Sequence, residues 1–351
     1  MTTPTDPSET DPSETPTTVD AAEMARALAA ALVRAGATDA DAVIQAAHLV
    51  EGELRGHASH GIRRLTALRD RLLAGLITSG LPPTLEWTGA SALAVDGHNG
   101  FGPVVAHTAI SEILPRAASN GIAIATIRRG HHLGMLSPYV ERIADAGLIG
   151  IVLTTAGGGV HPWGGALPLV GTNPIAIGVP AGDAPLILDM STAAVTKGLV
   201  LDYAARGQAL PPGVAVDPEG NPTTDAAAAA DGAISPFGGA KGYALGIAFG
   251  AIVGLLTRTS YGAEVAGLLD STHPVTKGDV FIVISPAAFG ASANDAALAG
   301  YFDLIRASAP EGSTVSIPGD RTRATRVRRL ADGIPVDATM WRTVLELASD
   351  I

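Results

Sequence analysis

The chain predicts an α/β protein of the α+β kind, with a mixed sheet framed by helices. Helix-periodic stretches occupy both ends, near 20–73 and 293–348, while the middle carries short β-rich runs at uneven spacing. That order is not a strict βαβ alternation. The composition agrees: 47% of residues are hydrophobic, 42 are glycine and few are aromatic, which suits a closely packed enzyme better than a fibre.

Residues 1–18 hold a tandem TDPSE repeat too polar to offset its ordering entropy, so they are expected to form a disordered tail. Asp20, with Glu23 three residues on, reads as an N-cap for a helix running to Gly36. Thr38 opens a second helix, with Val43, Ile44, Ala47, Val50 and Leu54 on its apolar side, ending near Gly56. A third helix is expected over 59–73, with Ser59 as N-cap and Ile62, Leu65, Leu68, Leu72 and Leu76 as its inward stripe. Strands are expected at 92–95, 122–127, 149–154, 175–179, 186–188 and 280–285. Helices are expected near 103–119, 136–146, 239–257, 293–307, 320–331 and 337–348.

The net charge of −11 disfavours nucleic acid and anionic membrane surfaces as partners. The basic run 321–329 reads as a solvated helix face. With no cysteine, disulfides and thiolate chemistry are excluded. The first residues lack a basic start followed by an apolar run, so a cytoplasmic location is expected. The apolar stretch 242–256 is shorter than a membrane span and is expected to be a buried core helix.

Common nucleotide motifs are missing. No G-x-G-x-x-G has the right spacing, and no Gly-Lys dipeptide occurs for a phosphate loop. Five constellations remain. His60 and Arg64, four apart in RGHASHGIRRL, share a helix face with Arg71 further on, and an imidazole beside a guanidinium suits an anionic substrate. His131, His132 and Gly134 follow an expected strand, where loops present functional side chains. GTNPIAIGVP forms a turn and strand. Asp189, Met190, Ser191 and Thr192 end another strand. Lys241 and Gly242 open the apolar helix within GGAKGYAL. Each also has an ordinary structural reading, as a solvated face, a surface turn, a helix cap or a snorkelling lysine. Spacing alone does not choose, and His57 with His60 as an H-x-x-H metal pair is weak.

Taken in order, RGHASHGIRRL, HLG, GTNPIAIGVP, LDMST, PEGNPTTD and GGAKGYAL resemble the malate/L-lactate dehydrogenase family of non-Rossmann oxidoreductases. The resemblance runs from about residue 20 to the C-terminus. It implies a non-Rossmann, sulfolactate-dehydrogenase-like fold: a helical domain of 19–85 plus 290–351, with an α/β domain of 86–289 inserted. It implies NAD or NADP as cofactor, a small carboxylate substrate, no metal, and a homodimer or larger homo-oligomer. The substrate would be a 2-oxo or 2-hydroxy acid, or alternatively a cyclic imino acid. His60 matches a proton donor and His132 an acid/base histidine. Ser59 and Arg64 match positions near the substrate carboxylate. Asp189, Met190, Ser191, Thr192, Lys241 and Gly242 match cofactor-contacting segments, and Gly319, Asp320 and Arg321 a cofactor loop.

The chain departs from the pattern at Ala58 (often Asp), His131 (often Asn or Ser), Leu133 (usually Phe), Gly250 (Glu in many members) and Asp320 (commonly Glu). Ala58 and His131 border the expected site and bear on substrate identity. Two rival classes use the same residues: a zinc hydrolase with His57, His60 and His132, and a cofactor-binding homologue without activity.

Overall fold

The computed structural model describes residues 17–293 and 295–349. The tail expectation for 1–16 lies outside them. Its last two residues do not behave as a tail: Thr17–Val19 is a strand (β1). Asp20 caps the first helix as expected, accepting from the backbone N–H of Ala22 and Glu23, and α1 spans Ala21–Arg34. Thr38 caps α2, Asp39–Leu54, through the Asp41 N–H. Of the expected apolar side of α2, Val50 and Leu54 are buried, but Val43 is 60% exposed and Ala47 is exposed too, and the helix also buries Ala42, Ala46 and Leu49 together with Gln45, His48 and Glu53. Hydropathy counts those three polar side chains as surface, and here they point inward.

The third helix is broken. Ala58–His60 and Ile62–Arg64 are separate 3-10 turns, and α3 proper is Leu65–Leu73. Ser59 is therefore not its N-cap. The break falls at Gly61, whose backbone is extended at φ −96 and ψ −140. The Glu53 side chain occupies the space a Cβ at 61 would need, and its carboxylate accepts the Ile62 N–H at 2.9 Å.

The middle of the chain then runs β2 Thr84–Trp87, β3 Ala92–Gly100, α4 Gly102–Asn120, β4 Ile122–Gly130, α5 Ser137–Asp145 and β5 Ile149–Thr154. Next come β6 Gly158–Val160, β7 Val170–Gly171, β8 Ile175–Val179, β9 Leu186–Met190, α6 Lys197–Ala205 and β10 Ala215–Val216. After these follow α7 Ala226–Asp231, β11 Ala233–Ile234, α8 Ala240–Thr257 and β12 Gly278–Ile284. The chain closes with α9 Ala296–Ala307, α10 Asp320–Asp332, β13 Ile334–Val336 and α11 Ala338–Ala348.

Seven strands form the main sheet in the order β2-β3-β4-β12-β5-β8-β9. Only β3 and β4 pair in parallel, so the sheet is mixed, as expected. A four-stranded sheet, β10-β11-β6-β7, forms a satellite lobe, and β1 pairs with β13 to tie the two chain ends together. One apolar core joins α1, α2, α3 and α11, and a second lies between the main sheet and helices α4 and α5.

Helix α8 is not the buried core helix expected. It lies along the other face of the main sheet, burying Gly242, Gly246, Val253, Gly254 and Thr257. Leu245, Ile247, Ile252, Leu255 and Leu256 are exposed. Glycines at every fourth position (242, 246, 250 and 254) let the helix sit flush, which turns its large apolar side chains outward. Among the described residues it is the one helix long and apolar enough to cross a membrane.

Candidate active site

The broken third helix and the loop after β4 bring two imidazoles together. The rings of His60 and His132 stack with centroids 5.9 Å apart and planes 11° from parallel. Ser59 Oγ lies 3.0 Å from His60 Nδ1. Arg64 reaches back one turn and donates from Nε to the Ser59 carbonyl at 2.6 Å. His132 Nδ1 accepts the Gly134 N–H at 3.1 Å, so the neutral ring carries its proton on Nε2. Ser59, His60, Arg64 and His132 thus form one cluster.

Both rings are neutral at pH 7. Burial, then the Arg64 charge, pushes His60 down to about 3. Burial, then His60, Arg64 and Lys277, hold His132 well below the ordinary imidazole value. Among the described residues no carboxylate pairs with Arg64, and burial with the nearby Arg63 depresses its own pKa. A half-buried guanidinium without a counter-ion is a site for an anion.

The cluster rests on a packed floor. His48 stacks on Tyr139 at 5.0 Å, and Tyr139 donates its hydroxyl to the Leu133 carbonyl at 2.6 Å. Gly134, at φ +74, lies so close to His48 that a Cβ there would stand 2.6 Å from its ring. Lys277 and Asp279 form a buried pair at 2.5 and 2.7 Å, with Thr154 Oγ1 donating to Asp279 at 2.5 Å.

A groove of about 410 Å³ is lined by His57, Ser137, Asp189, Gly319, Arg321 and Thr322 among others, and none of Ser59, His60, Arg64 and His132 lines it. Asp189, Gly319 and Arg321 thus come together. Asp189 also ties the sheet to the histidine loop, accepting the Leu136 and Ser137 N–H groups at 2.8 and 2.7 Å where α5 begins. Burial pushes its carboxyl up against those bonds. Asp320 turns away from the groove, accepting the Ile317 N–H at 3.0 Å and pairing with Arg306 and Arg323. Met190 and Ser191 are half-buried beside it, and Thr192 bonds to the Thr172 carbonyl and packs on Gly246. Lys241 is exposed on the first turn of α8. There the backbone packs on Phe237 and Trp163, and neither Lys241 nor Gly242 lines the groove.

Arg71 was placed on the His60–Arg64 face from the sequence but is buried against His131, and His48, Lys277 and Asp279 were not singled out as parts of the site. Only the Lys-Gly-Asp spacing at the start of β12, which puts both charges on one side of a strand, could have signalled the last pair. The zinc reading finds no support in the geometry: among the described residues no three His, Cys, Asp or Glu side chains come together as a ligand set.

Comparison with known proteins decides the family. The sequence profile described as Malate/L-lactate dehydrogenase matches residues 19–345. The chain belongs to the malate/L-lactate dehydrogenase family. It is similar to a solved dehydrogenase from Sinorhizobium meliloti at 42% identity and a TM-score of 0.90, covering 95% of this chain and 99% of that one. It is also similar to the solved sulfolactate dehydrogenase of Methanocaldococcus jannaschii, at 30% identity and a TM-score of 0.88, covering 94% and 96%. A Pseudomonas aeruginosa Δ1-pyrroline-2-carboxylate/Δ1-piperideine-2-carboxylate reductase is 35% identical, covering 85% of this chain and 90% of the relative. The sulfolactate-dehydrogenase-like fold is therefore correct, and the family is one of oxidoreductases.

Proposed function

We propose that this member of the malate/L-lactate dehydrogenase family interconverts a small 2-oxo acid and its 2-hydroxy acid, using NAD or NADP. The observation that carries the reading is the unpaired Arg64 guanidinium beside two stacked neutral imidazoles. The groove suits a dinucleotide: it brings Arg321 and the start of α10 to one side, where pyrophosphate oxygens find a cation and backbone N–H groups. When bound there, the nicotinamide supplies or accepts the hydride.

The chain's own residues do the rest. Arg64 keeps both terminal nitrogens for a substrate carboxylate, because its Nε is spent on Ser59. A substrate carboxylate on Arg64 offsets the Arg64 charge, which after burial is the second cause of His60's depression, and so favours the imidazolium. That imidazolium gives its Nε2 proton to the carbonyl oxygen during reduction, and the neutral ring takes the proton back during oxidation. His132 offers its Nε2–H to the same oxygen. A cyclic imino acid fits the same roles, with the imine nitrogen receiving the proton, and the Pseudomonas relative named above favours testing it.

The test is a panel of 2-oxo acids, 2-hydroxy acids and cyclic imino acids with each cofactor. His60→Ala should lower kcat by about 10²–10⁴ with cofactor binding unchanged. Normal turnover in that variant refutes the role, and cofactor binding without turnover on the whole panel favours a non-catalytic homologue. The active form we propose is a homodimer or larger, supported by the apolar side chains α8 leaves exposed. Leu255→Glu should then lower the solution mass measured by light scattering.

A further inference from the structure

Arg71 stands two turns beyond Arg64, on α3, the helix that follows the Arg64 turn, and is only 1% exposed. None of its hydrogen bonds goes to a carboxylate. Its Nε donates to His131 Nε2 at 2.6 Å, one terminal nitrogen donates to the Asp270 carbonyl, and the other to the His273 carbonyl at 2.9 Å. The Asp270 carboxylate turns instead onto Thr272 and His273. One side chain from the helical core therefore holds two other segments at once: the loop that leaves β4 and the loop that enters β12.

The place where these segments meet matters. His131 immediately precedes His132, and β12 runs antiparallel beside β4 with Gly278 opposite Arg128. The 270–277 segment thus lies along the wall from which His132 projects. His131 has its backbone N–H on the Gly100 carbonyl at 2.9 Å, and its Nε2 is taken by Arg71. A ring that accepts at Nε2 must, when neutral, carry its proton on Nδ1, and that buried Nδ1 has no partner. Burial, then Arg71, then Lys277 at the start of β12 keep the ring neutral. His131 is held in one charge state and one tautomer.

We propose that Arg71 is a positioning residue, which sets His132 against His60 by clamping His131 and the 270–273 loop to α3, the helix that directly follows Arg64. The inference rests on the reading of His60 and His132 as the reacting imidazoles. Arg64, at the end of its 3-10 turn, and Arg71, on the α3 that follows, then divide the work: the first meets the substrate, and the second fixes the partner imidazole at the right height. Without the clamp, His131 is free to change tautomer and His132 loses its register over His60.

The experiment compares Arg71→Met, His131→Ala and His131→Asn with the parent in steady-state kinetics and in imidazole 15N spectra. Arg71→Met should lower kcat tenfold or more while the cofactor KM stays within twofold. Its His131 signal should change from a single Nδ1–H tautomer to a mixture that titrates closer to the ordinary value. Should Arg71→Met fail to fold, His131→Ala, which keeps both carbonyl contacts, is expected to lose kcat in the same way. His131→Asn, whose amide oxygen accepts from Arg71, should retain most of it. The proposal is overturned by a folded Arg71→Met or His131→Ala enzyme with kcat within twofold of the parent, or by an unmoved His131 tautomer in Arg71→Met. A parent that turns over nothing on the panel refutes the functional reading instead. The 15N signals of His131 and His132 then decide the clamp by themselves.

Discussion

Lowering the pH from 7 to 5 should cost this fold about 2 kcal/mol through His48 alone. His48 is fully buried, and burial, then the nearby His107, pushes its pKa down to about 4. In the unfolded chain the same imidazole titrates at about 6.5. A histidine depressed in the fold contributes stability that is present above the unfolded pKa and lost as the pH falls below it. At pH 5 proton uptake stabilises the unfolded chain by RT ln(1 + 10^1.5), about 2 kcal/mol, while the folded state recovers less than about 0.1 kcal/mol. Below about 4 the folded ring protonates as well and the loss saturates. His60, His131 and His132 are depressed in the same direction and steepen the slope; His60 and His132 are only half-buried, so water blunts their share. Urea unfolding at pH 7, 6 and 5 for the parent and for His48→Gln isolates the effect. The variant should be less stable at pH 7, yet lose about 2 kcal/mol less between pH 7 and 5. Parallel pH dependences in the two proteins would show that His48 is not held neutral by the fold.

Two further outcomes follow from contacts at the site. Arg64→Lys keeps the charge but not the two-pronged geometry, so the KM for the carboxylate substrate should rise about 10–100-fold, with cofactor affinity, measured by fluorescence titration, unchanged. Gly61→Ala places a methyl group on the Glu53 side chain, so thermal unfolding should show a loss of about 1–3 kcal/mol, together with reduced turnover as the two 3-10 turns shift; a variant as stable as the parent would mean that Glu53 moves aside freely.

The parts of the fold legible in the sequence were those decided locally. Asp20 and Thr38 cap the helices they were expected to cap, and the strands at 149–154 and 175–179 end where the β-rich runs end. What escaped was decided at a distance. The break at Gly61 comes from a carboxylate eight residues earlier in the chain, which no window centred on the third helix weighs. The outward face of α8 comes from glycines that let it lie flat, whereas a count of apolar residues reads the whole stretch as core. The strands of the satellite lobe are two or three residues long, too short for a period to declare itself. At the site, the His60–Arg64 pairing was visible as a four-residue spacing, although the turn that produces it is not the helix expected. The Arg71–His131 contact joins residues sixty apart, and only the docking of two cores makes them neighbours.

That docking explains why so many charges are buried around a small cluster. Ser59, His60 and Arg64 hang from the helical core, whereas His132 and Asp189 hang from the sheet core, so the 5.9 Å stack exists only while the two cores hold their register. Apolar packing across such a seam is tolerant of small slips, because contact energy changes little when one smooth surface slides on another. Directional groups are not tolerant. Arg55 at the C-terminal end of α2 pairs with Glu141 on α5, and Arg71 crosses from α3 to His131. A hydrogen bond weakens steeply once its angle or length departs from the favoured range, so two such contacts spread over the seam define one arrangement and penalise its neighbours. Burying these groups adds little net stability. What it supplies is a fixed relation between two imidazoles that local sequence alone could not bring face to face.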